Sequence, residues 1–165
     1  MPNWCANKLI IRHNDQKKIK EVAEAYNKCE LLKYFKPCPE ELYTEGITRY
    51  SADHPEVYDS LRREMKEKYG YESWYEWCVT NWGTKWDIST YEPEVEADGN
   101  RLELSFDTAW SPPIEAMETA EEQGFTVELL FYESGVGFCG IYEDGDYLEL
   151  EADSEDAEEI IDQFI

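Results

Sequence analysis

The chain has 165 residues and a net charge of −23, with 42% apolar and 15% aromatic residues. The apolar and aromatic content excludes a disordered chain in spite of the charge, and the length suits one domain with its own core. Because no run of about 18 apolar residues occurs, no membrane-spanning helix and no membrane partner are expected.

The cysteines and the N-terminus indicate a reducing compartment. Five cysteines occur without any CxxC spacing, and only two histidines, His13 and His54, could join them as metal ligands. The N-terminus lacks the basic and apolar regions of a secretion signal. We therefore expect reduced thiols, a cytoplasmic location, and neither a structural zinc nor a cofactor.

The first part of the chain predicts a strand, a helix and a stiff loop. The strand covers residues 8–12, and either Asn14 or Asp15 caps the helix that follows. Four apolar residues at helical spacing mark the buried side of that helix: Ile19, Val22, Ala23 and Tyr26. Prolines on both sides of Cys38 exclude a helix there and predict a loop.

Two helices are predicted next, inside a helical insertion over residues 33–87. The first begins near Asp53, which has capping-box spacing to Glu56, and it ends at Gly70. Its buried side is predicted from three apolar residues: Val57, Leu61 and Met65.

The second of these helices carries a concentration of tryptophan. Four of the six tryptophans lie within residues 74–87. One helical stripe is formed by Trp74, Trp77, Cys78 and Asn81. Gly83 suits the left-handed residue that closes a helix. Because a tryptophan buries a large area, we predict that this window anchors the core, with Trp82 inside it.

After the insertion the apolar period changes to two, which predicts strands. Residues 88–97 and 101–107 form a hairpin around an Asp-Gly-Asn turn. Two registers are compatible with the alternation, and they place Glu103 opposite Glu94 or Glu96. Like charges directly opposite each other destabilise a sheet by a few tenths of a kcal/mol per pair.

The last third predicts a helix, three strands and a final helix. Ser111 is a suitable N-cap for a helix that ends near Gln123. The strand-like runs span residues 125–133, 136–143 and 146–151. The final helix begins near Asp153 or Ser154.

The order of these elements predicts an α+β fold in one domain, residues 1–165. Without the insertion and the tail it is βαββαβ, a ferredoxin-like antiparallel sheet with helices on one face. The additions are the helical insertion after the first helix and an extra C-terminal strand and helix.

Three separated motifs, PNWCANKL, TNWGTKWD and FDTAWSPP, resemble the YubB-like proteins, a ferredoxin-like family carried by plasmids and phages. The resemblance implies a ferredoxin-like domain and an origin on a mobile element, but no activity, because the family has no known function. The matching positions are Asn3, Trp4, Cys5, Asn7, Asn81, Trp82, Gly83, Lys85, Trp86, Thr108, Trp110, Ser111, Pro112 and Pro113.

The motif residues allow two interpretations. In the first they line a small-ligand pocket, with rings for stacking and with amides and a cation for polar contacts. Its candidate residues are Asn7, Asn81, Trp82, Lys85, Trp86 and Trp110. In the second, the tryptophans wedge the inserted helices onto the sheet and the asparagines satisfy backbone groups. No catalytic residues are assigned, because no nucleophile–base motif or phosphate-binding loop is recognisable.

The acidic residues are concentrated in one half of the chain. Residues 1–91 hold 15 acidic and 14 basic residues, whereas residues 92–165 hold 23 acidic residues and a single basic one, Arg101. Such asymmetry points to a charged partner and argues against direct binding of nucleic acid, whose phosphates would be repelled.

The sharpest hypothesis is that this half imitates nucleic-acid phosphate and occupies a basic groove on a host protein that handles nucleic acid. A phage or plasmid gains when such a protein blocks a host nuclease or another DNA-binding defence in the host cytoplasm. Candidate contacts are Glu92, Glu94, Glu96, Glu103, Glu115, Glu118, Glu122, Glu128, Glu155, Glu158, Glu159 and Asp162. The alternatives are an acidic structural or interaction protein without mimicry, whose charge serves solubility or adaptation to salt, and an enzyme or small-ligand-binding module that uses the tryptophan motifs. The oligomeric state is not indicated.

Overall fold

The computed structural model describes residues 1–43 and 54–165, and a five-stranded antiparallel sheet lies at its centre. The strands are β1 (Trp4–Arg12), β2 (Arg101–Ala109), β3 (Thr126–Glu133), β4 (Phe138–Glu143) and β5 (Asp146–Glu151). The helices are α1 (Gln16–Asn27), α2 (Leu31–Phe35), α3 (Pro55–Tyr69), α4 (Trp74–Trp82), α5 (Ile114–Glu122) and α6 (Glu158–Ile161), with 3₁₀ turns at Glu40–Tyr43 and Glu155–Ala157.

The sheet has the order β2-β1-β3-β4-β5. The first strand, β1, therefore lies between β2, which follows α1 and the insertion, and β3, which follows α5. Every neighbouring pair is antiparallel. The predicted α+β, ferredoxin-like architecture is therefore confirmed, and β4 and β5 extend the sheet beyond β3.

The strand predicted over residues 88–97 does not form. Only two isolated bridges join this segment to β2, between Ser89 and Asp107 and between Asp98 and Arg101. Glu92 adopts a left-handed backbone with φ 46°, and the following proline has no N–H to offer a ladder. The predicted pairing of Glu103 with Glu94 or Glu96 was consequently wrong.

One face of the sheet carries the main core. The alternating inward residues of β1, β2 and β3 pack against α1, α2, α4 and α5, and Leu9, Leu104 and Leu129 are each at most 2% exposed. Each fully buried side chain of this kind stabilises the fold by roughly 1.5–3 kcal/mol. The two helices of the ferredoxin-like core, α1 and α5, thus lie on the same face, as predicted.

The predicted apolar stripe of α1 is buried in full, and Asp15 caps the helix by accepting the Lys17 N–H at 2.9 Å. The short helix α2 was not predicted, because its cap lies far away in the sequence. Asp87 accepts the N–H groups of Leu32 and Lys33 at 2.9 and 3.0 Å.

The inserted helices follow the prediction at their C-termini. Gly70 and Gly83 end α3 and α4 in the left-handed conformation. Within α3 only Met65 is fully buried, and Val57 is 48% exposed, so its predicted inward position was wrong. The capping box predicted at Asp53 lies outside the described residues.

The C-terminal helix lies on the opposite face of the sheet. Ala157 and Ile160 pack on Cys139, whose side chain points away from the main core, and Phe164 contacts Tyr132. Lys8 contacts the C-terminal residues, because its Nζ donates to the carbonyl of Gln163 and lies 5.5 Å from the Phe164 ring centroid. This second face is only partly covered, and its open part carries the acidic residues described next.

Candidate interaction surface

One row of side chains crosses all five strands on the second face. Ile10 of β1 pairs with Glu103 of β2 and with Glu128 of β3, Glu128 pairs with Glu143, and Glu143 pairs with Asp146. Neighbouring strands are about 4.8 Å apart, so the row holds four carboxylates over roughly 19 Å.

The C-terminal helix adds carboxylates beside this row. Because α6 and its preceding turn pack on β3 and β4 from the second face, their exposed acids lie on that side of the molecule. We call the combined surface the acidic face, and it consists of Glu103, Glu128, Glu143, Asp146, Glu155, Glu158, Glu159 and Asp162.

Glu143 and Asp146 were absent from the predicted contacts, although a signal for them exists. They flank an Asp-Gly turn between two alternating runs, which pairs them directly across a two-residue hairpin. Their alignment with Glu128 depends on the β3–β4 register, which the local pattern does not specify.

Most carboxylates of the acidic face form no ion pair with the residues that the structure describes. Among the residues that the structure describes, the ion pairs reach only one of its members, Glu103, whose Oε1 lies 2.6 Å from Nη2 of Arg101. Within the same ranges, no three His, Cys, Asp or Glu side chains converge as metal ligands would. The surface therefore presents carboxylates to solvent and to any basic partner.

The other predicted acidic contacts lie elsewhere. Glu115, Glu118 and Glu122 are exposed on α5, which covers the main core on the far side of the sheet. Although Glu115 is exposed as a residue, its carboxyl lies close to Gly83, and this partial burial raises its pKa, to which the charge of Glu118 adds. The remaining three, Glu92, Glu94 and Glu96, are exposed in the irregular segment beside β2. The twelve predicted carboxylates thus form three separate groups.

Three of the predicted pocket residues have a structural role, because they pack in the core or hydrogen-bond backbone groups. The buried Asn7 amide donates to the Cys5 carbonyl and to Thr108 Oγ1, both at 2.9 Å. Trp82 is 2% exposed, and its Nε1 donates to the Lys36 carbonyl at 2.8 Å. Asn81 donates to the carbonyl of Trp77 and accepts from Nζ of Lys36 at 2.6 Å.

The other three lie at the surface. Lys85 Nζ lies 4.4 Å from the Trp86 ring centroid, and Trp86 is 38% exposed. Trp110 is 52% exposed and left-handed, with φ 73°. Trp82 and Trp86 border a common cleft of about 430 Å³, and the other four predicted residues do not line it.

Trp4 is the surface residue that the pocket prediction missed. It is 39% exposed, and its ring centroid lies 6.3 Å from that of Trp86. The backbone joins the third motif to the first, because the Trp110 N–H donates to the Asn3 carbonyl at 2.9 Å. All three sequence motifs thus contribute to one end of the sheet, which we call the tryptophan end: Trp4, Lys85, Trp86 and Trp110.

A family model described as the ferredoxin-like domain in Api92-like protein matches residues 82–164, half of the chain. This chain belongs to the Api92-like family. The match includes four of the five strands and the entire acidic face, while the inserted helices precede it. The expected ferredoxin-like domain is thereby confirmed, under the Api92-like name rather than the YubB-like one.

Comparison with solved structures adds a loose likeness to the crystal structure of protein Api92 from Yersinia pseudotuberculosis. The TM-score is 0.41 at 11% identity, over 93% of this chain and 99% of that one. A comparison with curated proteins finds no match. None of the helices in the described part of the chain has the length and apolar character of a membrane span.

Proposed function

We propose that this Api92-like protein binds a basic, nucleic-acid-handling protein through its acidic face and occupies the place of nucleic acid there. One observation supports this above the others. The strand register aligns Glu103, Glu128, Glu143 and Asp146 in a single row, and the C-terminal helix adds its carboxylates on the same side.

Carboxylates held by a sheet have fixed spacing, which a basic groove can match. Complementary charge at such a surface speeds association and selects the partner. The arrangement costs stability, because Glu128 faces Glu143 and Glu143 faces Asp146, at a few tenths of a kcal/mol for each like-charged pair. Solubility alone does not require this cost, since acids at isolated exposed positions would serve it equally.

The biological setting follows from the resemblance to YubB-like proteins of plasmids and phages. We infer that the protein is non-enzymatic, acts in the host cytoplasm, and inhibits a host nuclease or another DNA-binding defence protein. Direct binding of nucleic acid to this chain is not part of the proposal, because the acidic face repels phosphate.

The experiment displaces DNA-binding proteins from DNA. Host lysate is loaded on DNA–cellulose and eluted with the purified protein at moderate salt. The wild type should release a specific protein, and the variant Glu128→Lys/Glu143→Lys should not. The matched control, Glu118→Lys/Glu122→Lys on α5, changes the net charge equally and should still release it.

The control separates imitation of phosphate from a general polyanion effect. Equal loss of elution in both variants would show that the protein displaces DNA through its total negative charge and not through the acidic face. Elution that is unchanged in both, or a released protein that binds DNA and this chain together at any salt concentration, would contradict the proposal.

A second candidate function is ligand binding at the tryptophan end. It is favoured by three exposed tryptophans from three distant motifs at one end of the sheet, where the Trp4 ring lies beside Trp86 and Lys85 Nζ lies over the Trp86 ring. Trp86→Ala and Trp110→Ala should then abolish the fluorescence change caused by the ligand while the melting temperature stays unchanged. A fluorescence screen of nucleotides and sugars that finds no saturable change would remove this candidate.

A further inference from the structure

The two edges of the sheet, at β2 and at β5, differ in what lies beside them. Along β2 runs the irregular segment of residues 88–98, in which Ser89 exchanges both backbone hydrogen bonds with Asp107, at 2.7 and 2.8 Å. The Tyr26 hydroxyl donates to the Ser105 carbonyl at 2.8 Å and satisfies a further group of this edge. The β2 edge is thus covered, which is how natural proteins commonly protect a sheet edge.

The β5 edge has no such cover in the part of the chain that the structure describes. The strand is last in the sheet order and pairs only with β4. Five of its six residues are exposed, and Tyr147 and Leu148 are 48% and 51% exposed. The edge is therefore open to a strand that approaches from solvent.

The turn between β4 and β5 decides which backbone groups of β5 face outward. Asp144 and Gly145 both have positive φ, 49° and 77°, so the connection is a two-residue hairpin closed by the pair Glu143 and Asp146. That closing pair is hydrogen-bonded, and hydrogen bonding to β4 recurs at every second residue after Asp146. The residues in between direct their N–H and C=O groups away from β4.

These intermediate residues are Tyr147, Glu149 and Glu151. The Glu151 carbonyl accepts hydrogen bonds from the N–H and the hydroxyl of Ser154, at 3.0 and 2.7 Å. Among the described residues, no backbone hydrogen bond from outside the ladder reaches Tyr147 or Glu149. The edge therefore offers three N–H donors and two carbonyl acceptors at strand spacing.

The side chains of β5 define the strand that would fit beside it. Glu149 and Glu151 lie on one face of β5, and Leu148 and Leu150 lie on the other, because side chains alternate along a strand. Neither glutamate forms an ion pair within the described ranges. Opposite residues of an antiparallel pair share a face, so basic side chains fit opposite the glutamates and apolar ones opposite the leucines. The acidic β5 of a second copy fits poorly, because like charges would face each other.

We propose that the β5 edge binds an extended segment of a partner protein, in which lysine or arginine alternates with apolar residues, and adds it to the sheet as a further strand. Main-chain hydrogen bonds supply the affinity, and the carboxylates select the basic side chains. This site goes beyond the proposed function, because it does not require a partner that handles nucleic acid. Asp146 ends the acidic row at this edge, so one partner can also occupy both surfaces.

The first experiment titrates the folded full chain into a fluorescent hexapeptide of alternating lysine and valine and follows the anisotropy of the peptide. Two isomers of it carry N-methyl groups on all the lysines or on all the valines. Because a strand faces its neighbour with every second residue, one isomer should lose binding and the other should keep it. A peptide with glutamate in place of lysine should not bind. Isomers that bind alike, strongly or weakly, would overturn the proposal. The assay contains no nucleic acid, so its outcome is separate from that of the DNA-displacement experiment.

Hydrogen exchange locates the bound peptide. The amides of Tyr147, Glu149 and Glu151 should exchange rapidly in the free protein and slowly in the complex, because the added strand takes up their N–H groups. The amides of Leu148 and Leu150 already bond to β4 and should change less. Protection elsewhere without this alternation along β5 would contradict strand addition.

A pair of variants tests the edge itself. Glu149→Pro removes one outward N–H at a position where an edge strand tolerates proline, and the matched control Glu149→Gln loses the same charge but keeps the N–H. The proline variant should bind the lysine–valine peptide about tenfold more weakly than the control, because a carbonyl of the peptide loses its donor. Equal affinities in the two folded variants would overturn the proposal.

Two further results complete the test. If circular dichroism shows that Glu149→Pro does not fold, the isomeric peptides and the hydrogen exchange of the wild type still decide the matter. Sedimentation of the wild type should show no association through β5. A dimer that Glu149→Pro abolishes would identify a second copy of the chain as the occupant and would likewise overturn the proposal.

Discussion

The side-chain amide of Asn27 makes both hydrogen bonds that a neighbouring strand would have made with Val95. Its Nδ2 donates to the Val95 carbonyl, and its Oδ1 accepts the Val95 N–H, each at 2.9 Å. A residue at the end of α1 thus satisfies the backbone of the segment where a strand was predicted, and the segment remains irregular beside β2.

The first prediction concerns this contact. Asn27→Ala should lower the free energy of unfolding by about 1–3 kcal/mol, because both partly buried backbone groups of Val95 lose their partner. Urea unfolding measures the loss, and hydrogen exchange at the Val95 amide should become faster. The control Asn14→Ala, at an exposed position, should leave both unchanged. A stable variant with unchanged exchange at Val95 would show that water replaces the amide without cost.

The second prediction concerns the tryptophan core. Trp82 packs edge-on against Trp77, with ring centroids 5.6 Å apart, and it is almost fully buried. Trp82→Ala should therefore cost about 3–5 kcal/mol, as large aromatic core residues do. Trp110→Ala is the matched control, and it should cost much less because half of that side chain is exposed. Equal losses in urea unfolding would contradict the division between core and surface tryptophans.

The third prediction concerns salt. The melting temperature should rise from low salt to about 0.15 M, where charges more than roughly 8 Å apart are screened from each other. The increase should be smaller in Glu128→Gln/Glu143→Gln, since that variant removes two facing carboxylates of the acidic face. The control is Glu118→Gln/Glu122→Gln on α5, which removes the same number of negative charges. A melting temperature that does not change with salt in the wild type would mean that the carboxylates do not repel one another appreciably.

The fourth prediction concerns alkaline pH. The folded protein holds the Cys5 proton to a pKa of about 12, whereas an unfolded cysteine loses it near 8.5. The stabilisation is therefore complete below about pH 8.5 and is lost as the pH rises toward 12, by up to about 1.4 kcal/mol per pH unit. Burial and the hydrogen bond to Glu121 raise the pKa of Tyr142 and add to the loss.

Urea unfolding between pH 8 and 11 measures this slope. Cys5→Ala should reduce it by up to one proton, whatever the effect of the substitution on stability at neutral pH. A slope that is the same in Cys5→Ala as in the wild type would show that Cys5 does not contribute.

Local periodicity was sufficient to predict the helices and strands that bury only one face. The stripe of α1 was predicted residue by residue, because a helix facing a sheet needs apolar residues at helical spacing. The glycines at 70 and 83 were predicted as helix ends, because the left-handed conformation excludes most other residues. The period of two over residues 101–107 likewise predicted β2, whose residues alternate between exposed and buried.

The sequence predicted the candidate site less completely than it predicted the helices and strands. The acidity of residues 92–165 is a property of composition, and the sequence alone established it, together with the outward position of Glu103. Composition could not separate Glu118 on one side of the sheet from Glu128 on the other, because the face that a helix covers depends on distant apolar residues.

Tertiary contacts decided the remaining features. Asp87 caps α2 across 55 residues, and Asn27 replaces a strand at Val95 across 68 residues, so no local window contains either pair. Ile160 packs on Cys139 and thereby places the C-terminal helix on the second face. The sequence by itself determined which residues are apolar, which are charged and where helices end. Only the folded structure could decide which of these groups meet, because hydrogen bonding and burial act between atoms that the chain brings together from far apart.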